Sequence, residues 1–542
     1  MEKKNIIWFV FTGLLFLTFS CDDEYLDRNP IDFLSPDNFN NEKDIREAVN
    51  GIYKAYISDI YEPLFTDFIV DDGYFVDYQL LWTRNYNNET PQIGNKWSRD
   101  YKVILRANTV LHYIDDVEMP QSSYDQYKGE ALFLRALAYF DLSFFFGDVP
   151  LRTKPEGLEG SNKPLTPKPE ILEMVLNDLE TAAGLLPVTY SDDNRGRATR
   201  GAALAIKARA LLFNQRYAEA ADYCKKVREL GVYQIMPEYK LLFLPEGEAA
   251  NKEVIFDMQF EKDSRDFGLS NQWYTRFRSW SGYMVGHDLY EQFYSTNGLS
   301  INDPDNTLYD PTVRSSGLAA PSEYIKEGGY DNRFQDRDPR LHYSLVVPYS
   351  IRDYNPQTGE PVVYYPIQQQ NANFTGFRVR KYVDYSDNGV QNASGVNPVI
   401  IRYADILLME AEALVEQGSY NEVEVYALIN QVRQRESVMM PKVEDVEGTG
   451  LSPEELMAVI RHERRVEFAF EGLRIFDVMR WDIGEEVYNA DLRGFRPDKL
   501  SPKANNISYE VYSVFSRSYD PSKGYQWPVP KAELDANKAL TP

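Results

Sequence analysis

Glu463, Glu467 and Glu471 fall at i, i+4 and i+8, so on a helix they share one face. Two carboxylates flanking a glycosidic bond are what a glycoside hydrolase needs, one as general acid and one as nucleophile. Four arginines nearby in the sequence, Arg464, Arg465, Arg474 and Arg480, point to a different chemistry. Like charges at that spacing repel by roughly a few tenths of a kcal/mol per pair, so a cation is needed between them. Bidentate pairing with arginine supplies it, and it also depresses the carboxylate pKa and spoils the general acid. The expectation is a structural face held by ion pairs, with no catalytic residue.

Other reactive constellations are missing from the sequence. The four histidines, His112, His287, His342 and His462, are scattered, with no metal-binding i, i+4 pair. There is no glycine-rich phosphate loop, no Gly-x-Ser-x-Gly elbow and no cysteine–histidine nucleophile pair. Asp303, Asp305, Thr307 and Tyr309 begin like a calcium loop, but Leu308 replaces the glycine at its sixth position and Arg314 the closing glutamate. No metal and no cofactor is expected.

The aromatic residues carry the functional expectation: 39 Tyr, 29 Phe and 7 Trp, with Tyr outnumbering Phe. Such an excess of rings with a polar tip suits a half-wet binding surface. One face of a sugar ring carries weakly positive C–H groups that pack on the negative face of Trp or Tyr, while Asp, Asn and Arg hydrogen-bond the hydroxyls. Two stretches offer this mixture. The first contains Asp72, Tyr78, Trp82 and Arg84, and the second runs from Trp273 through Trp280 to Tyr283. These seven residues are the candidate ligand contacts.

Composition bounds the rest. The 542 residues carry 58 Lys+Arg against 83 Asp+Glu, a net charge of −25, which repels a nucleic-acid backbone. Hydrophobic residues make up 43% and charged residues 26%, an ordinary globular balance that can bury a large core. Lys3 and Lys4 precede an apolar run from Ile6 to Phe19, followed by Cys21-Asp22-Asp23-Glu24. A charged start, a short apolar middle and a cysteine directly after it have the layout of a bacterial lipoprotein signal, residues 1–20, cut before a lipidated Cys21. The position three before the cysteine is Thr18, with Leu17 one further out, a loose fit to that signal. Cys224, the other cysteine, lies in an apolar helical pattern and reads as a buried small hydrophobe.

Helical periods dominate both ends of the chain. They predict helices over Trp97–Ile114, over Gly129–Phe146 (apolar nearly all round, hence a core helix) and over Glu170–Leu186. Two later segments repeat each other: Ala208, Ala210, Leu211, Tyr217 and Glu219 fall on Ala411, Ala413, Leu414, Tyr420 and Glu422 at one offset. Each is an alanine-rich helix, a short turn and a second helix, a tetratricopeptide-like hairpin. Between them, about 237–398, lies a long segment rich in Gly, Pro, Asn, Asp and Tyr with strand-like runs at Glu253–Phe260, Leu345–Val347 and Phe377–Val383. A segment of that length without helical period is usually functional. The fold class is mostly α, an α-α superhelix of such hairpins with a long loop and short-strand insertion.

Several blocks together resemble the SusD/RagB-like outer-membrane lipoproteins of Bacteroidetes. They include Arg106-Ala107-Asn108, Gly129 to Ala136 with Tyr139-Phe140, Phe146 to Leu151, and Gly196-Arg197-Ala198-Thr199. Arg402 to Ala413, Ile429 to Arg433, Glu463 to Phe468, Phe470 to Arg474 with Phe476-Asp477 and Arg480-Trp481, and Gln526 to Pro530 with Glu533 and Asn537 complete the series in order. The acidic cluster after Cys21 is similar to the surface-export signal of such lipoproteins. The resemblance implies one SusD-like domain over 21–542, anchored by lipid to the cell surface at the outer membrane. It implies capture of an oligosaccharide or polysaccharide and delivery to a SusC-like TonB-dependent transporter, without catalysis. A ligand platform built from loops in the two aromatic stretches follows from the same resemblance. The alternatives are a peptide-binding member of the class and a secreted glycoside hydrolase.

Overall fold

The computed structural model describes residues 39–57, 66–157, 160, 162–191, 194–262, 283–309, 334–348, 350–355, 358–364, 375–384, 394–497 and 509–540. Its helices include α1 (Glu42–Ile57), the short α2 (Gln79–Trp82), α3 (Pro91–Tyr113), α4 (Gln121–Phe146), α5 (Lys168–Leu185), α6 (Arg200–Phe213) and α7 (Tyr217–Glu229). After the insertion come α8 (Tyr403–Glu416), α9 (Glu422–Arg433), α10 (Pro453–Glu467) and α11 (Gly484–Tyr488). Neighbours in sequence pack as antiparallel partners: α3 on α4, α4 on α5, α5 on α6 and α6 on α7. Helix α7 then meets α8, which packs on α9 and α10, so the two halves of the scaffold join across the insertion.

The three helices expected in the first half are present, but they start earlier, at Pro91, Gln121 and Lys168 in place of Trp97, Gly129 and Glu170. As its composition requires, α4 is buried continuously from Gly129 to Phe146. It stops at Gly147, whose φ of 75° lies where an L side chain is disfavoured. The C-terminal block docks there: Trp527 N–H donates to the Phe145 carbonyl at 2.7 Å, and its ring lies 4.6 Å from that of Phe145. The predicted repeat also holds. Hairpin α6–α7 turns at Gln215 and hairpin α8–α9 at Gly418, equivalent positions with φ of 60° and 76°. Two second-half helix starts carry side-chain caps, α9 from Asn421 and α10 from a capping box between Ser452 and Glu455.

The strands are short and paired two by two. They are β1 (Gly73–Phe75), β2 (Val254–Asp257), β3 (Tyr283–Val285), β4 (Leu345–Val346), β5 (Ile351–Tyr354), β6 (Pro361–Val363), β7 (Arg378–Val379), β8 (Val399–Arg402), β9 (Leu492–Pro497) and β10 (Tyr509–Phe515). Among the described residues all five pairs are antiparallel: β1 with β3, β2 with β8, β4 with β7, β5 with β6 and β9 with β10. Pair β2–β8 closes the neck of the insertion directly above α8. A second apolar core, with Tyr239, Phe243, Tyr290, Phe377 and Phe495 among its members, fills the insertion.

The glutamate face of α10 lies between these two bodies. Glu463 binds Arg340 and Arg433, Glu467 binds Arg340, Arg402 and Arg435, and Glu471 binds Arg402 and Lys381. Glu253 joins through Arg402 and Arg435. The ion pairing is as expected, but the shared helix face is not: α10 ends at Glu467, and Glu471 follows in the turn that contains the left-handed Phe470 (φ 60°). Nor are the partners the neighbouring arginines. Arg464 and Arg465 point off the helix in other directions, to Asp405 and Asp477, and to Asp71 and Asp72. Arg474 goes to Asp71, and Arg480 to Glu412 and Asp477. Burial alone would raise the Glu467 carboxyl, but Arg435, Arg402 and Arg340 outweigh it and hold it well below the usual range. A carboxylate so held cannot deliver a proton as a general acid.

Candidate functional site

The site grows from a charged clamp. Asp67 accepts from the Gly472 and Arg474 N–H groups at 2.8 and 3.3 Å. Arg474 forms a bidentate pair with Asp71 at 2.9 and 2.8 Å, and Arg465 Nε donates to Asp72 at 3.0 Å. Burial works against the ionised Asp71, yet Arg465 and Arg474 hold its carboxyl well below the usual range. The start of the first aromatic stretch is thereby bolted to the end of α10. Asp72 is 1% exposed and spent on Arg465, so its carboxylate serves the clamp and does not face a ligand.

Pair β1–β3 brings the two aromatic stretches together, with Phe75 opposite Tyr283. Their rings stack at 4.3 Å and 13°, and Tyr78 meets Phe75 edge-on at 5.3 Å. Tyr283 is 1% exposed and Tyr78 half-buried. Trp82 is likewise 1% exposed, edge-on to Tyr74 at 5.3 Å and covered by Arg517, whose guanidinium lies 4.4 Å from its ring centre. The expectation that Trp82 and Tyr283 offer ring faces to a ligand is corrected by this packing: both are interior rings. Trp273, Trp280 and Cys21 lie outside the described residues.

Arg84 occupies the centre of what remains. Its φ of 56° is a left-handed conformation, unusual for a residue with a side chain. The guanidinium is ringed by four tyrosines, with centroids at 4.7 Å (Tyr488), 5.2 Å (Tyr519), 5.7 Å (Tyr525) and 5.8 Å (Tyr86). It donates to the Gly524 carbonyl. Tyr488 and Tyr519 stack at 5.7 Å, and Tyr519 and Tyr525 at 6.1 Å, both pairs at 26°. Arg517 lies 5.1 Å from Tyr488 on its way to Trp82 and donates to the Val487 carbonyl at 2.8 Å. Rings and cations thus alternate outward, Trp82, Arg517, Tyr488, Arg84, Tyr519, each cation on the negative face of a ring.

Trp82, Tyr488 and Arg84 are buried, while Arg517, Tyr86, Tyr519 and Tyr525 are half-exposed. The tilt of Tyr525 is set by its hydroxyl, which accepts from Gly484 N–H at 2.8 Å and donates to Asp482 at 2.9 Å. Asn489 accepts from Tyr519 N–H at 2.9 Å, and Asn85, Asp482, Asn489 and Asp520 form an exposed polar rim. Stacked ring faces inside a rim of amides and carboxylates suit a hydroxyl-rich ring system. Sequence reasoning found Arg84 here but missed Tyr488, Tyr519 and Tyr525. The available signal was the tyrosine-bearing polar stretch Ser518 to Tyr525.

Comparison with known proteins bears on the same architecture. The SusD family matches residues 252–542, and the family described as "Starch-binding associating with outer membrane" matches residues 24–212. SusD-like protein P25 of Formosa agariphila is 26% identical, over 100% of this chain and 98% of that protein. A SusD-like carbohydrate-binding protein from Bacteroides fragilis is 27% identical, with a TM-score of 0.76 over 93% of this chain and 100% of that one. A laminarin-binding SusD-like protein shares the fold at 21% identity, with a TM-score of 0.63 over 93% of this chain and 99% of that one.

Proposed function

Because the chain belongs to the SusD/RagB-like family of outer-membrane glycan-binding proteins, we propose that it captures an oligosaccharide on the Arg84 tyrosine platform and hands it to a SusC-like TonB-dependent transporter. The protein is a surface-exposed, non-catalytic binder of the outer membrane, and the hydrolase alternative falls with that membership. The observation that carries the reading is the half-exposed trio Tyr86, Tyr519 and Tyr525, held in place by one guanidinium inside a polar rim. A platform of this kind grips ring faces without enclosing them, which suits a ligand that must be released again. Trp273 and Trp280, which stand shortly before β3 in the sequence, and the half-buried Tyr78 are proposed as further ligand contacts.

The test is calorimetry of the chain starting after Cys21 against polysaccharides, their oligomers and peptides. Tyr519→Ala should weaken binding of the cognate glycan about tenfold, about 1.4 kcal/mol, without lowering the melting temperature. Arg84→Gly, which keeps the left-handed backbone comfortable while removing the guanidinium, should weaken it at least as much. Unchanged affinity in both variants, or binding confined to peptides, would defeat the reading.

The lipoprotein signal over 1–20 and the lipid anchor at Cys21 belong to the same proposal, as does a single SusD-like domain over 21–542. Cys21→Ala should release the protein from membranes into the soluble fraction. Wild-type chain found membrane-bound with an unmodified Cys21 thiol would count against the anchor.

A further inference from the structure

A cleft of about 570 Å3, which shares no residue with the platform, opens where the chain enters α6, leaves α7 and runs into β2. Its volume lies inside the range of small-molecule sites, roughly 300 to 1,000 Å3. Asp257 lines it, and the Gln259 side-chain amide donates to its Oδ1 at 2.7 Å. Among the described residues no cation pairs with this carboxylate, and burial, with Glu248 adding to it, pushes its pKa up to about 6. Its own backbone N–H also supports the carboxylate and Arg195 acts on it from further off, but the half-buried group keeps acceptor capacity toward the cleft.

The walls are built for close approach. Gly196 has a φ of +81°, and a Cβ there would sit 2.1 Å from Gln259 Cγ. A Cβ on Gly201 would sit 2.1 Å from the Tyr233 hydroxyl, which lies 3.2 Å from Thr199 Oγ1. Of the three cationic side chains in the lining, Arg195 and Arg197 are already occupied and Lys252 is exposed. Arg197 binds Glu130 at 2.8 Å and Asn50 at 2.7 Å, and Arg195 lies 3.8 Å from Glu248. No cluster of spare positive charge remains to hold an anion. What the cleft offers is a carboxylate with acceptor capacity, amides and the phenols of Tyr190 and Tyr233.

We propose that this cleft is a second binding site for one or two rings of a neutral sugar, with Asp257 accepting hydrogen bonds from adjacent hydroxyls. Carboxylate acceptors and aromatic walls are the groups that recognise such ligands. The inference stands apart from the platform, since it uses different residues and a smaller ligand.

The test titrates full-length mature protein with glucose, galactose, mannose, xylose, maltose, cellobiose and lactose, followed by ligand-observed NMR. Binding of at least one sugar is expected, equal in wild type and in Tyr519→Ala. Asp257→Asn should weaken it about tenfold or more. Thr189→Trp, which fills the cleft from an exposed position, should abolish it with the thermal midpoint unchanged. The proposal fails if no sugar binds, or if binding survives both cleft variants. Loss in Tyr519→Ala alone would place the binding on the platform and overturn the cleft while sparing the platform.

Discussion

Glu467→Ala should destabilise the protein by about 3–5 kcal/mol, the largest single-residue effect expected in this chain. The Glu467 carboxylate accepts from Arg402 and Arg435 at 2.7 Å on one oxygen and from Arg340 at 2.8 Å on the other. All four side chains are at most 1% exposed. Removing the carboxylate leaves the buried network one negative charge short, with Arg340, Arg402 and Arg435 each keeping only their other carboxylate partners. The network also bridges the helical scaffold and the insertion, because Arg340 and Arg402 come from the insertion and its neck. Urea unfolding monitored by tryptophan fluorescence would read the loss. Adding Arg435→Met should recover part of it by removing one surplus positive charge. A cost below about 1 kcal/mol for Glu467→Ala would show that the network is solvated and replaceable.

The second large effect concerns mild acid. His342 donates from Nε2 to the Phe334 carbonyl at 2.8 Å, and His462 donates to the Gln292 carbonyl at 2.8 Å while stacking on Tyr294 at 3.9 Å. Burial pushes both imidazoles down to about 4, from an ordinary value of 6.5. Each is therefore neutral when folded, and the unfolded chain binds more protons between pH 6.5 and 4. The stability each contributes is fully present above pH 6.5 and is lost as pH falls toward 4, about 2 kcal/mol each by pH 5. Asp257, raised to about 6, works in the opposite direction over part of this window. The check is consequently a difference. Between pH 7 and pH 5 the wild type should lose roughly 4 kcal/mol more unfolding free energy than a His342→Gln/His462→Gln variant. Parallel pH profiles would sink the assignment.

Much of the scaffold is legible from local pattern. The apolar stretch ending at Phe146 has to be a buried helix whatever surrounds it, and the glycine after it has to end that helix. The Ala-rich repeat contains its own turn, so Gln215 and Gly418 could be aligned before any coordinates. The ion-paired role of Glu463, Glu467 and Glu471 also followed from their spacing. Their partners did not, because consecutive helical residues point about 100° apart and Arg464 therefore faces away from Glu463.

The ligand surface was only half legible, for the same reason on a larger scale. Composition and spacing marked Arg84 and a ring-rich neighbourhood, but a tryptophan in a polar stretch carries no local sign of whether its faces will be wet. Antiparallel pairing of β1 with β3, and the arrival of Phe515 and Arg517 from the C-terminal region, put Trp82 inside. The same C-terminal segment brought Tyr519 and Tyr525 to Arg84, whose guanidinium reaches a carbonyl 440 residues away in sequence. Sequence by itself determined three first-half helices, the repeated hairpin, the family blocks and the signal-like start, since each depends on residues within a few turns of one another. Only the tertiary structure decided which rings are core and which are surface. Exposure is a property of contacts between distant segments, and burying a large ring is favourable wherever such a segment arrives to cover it.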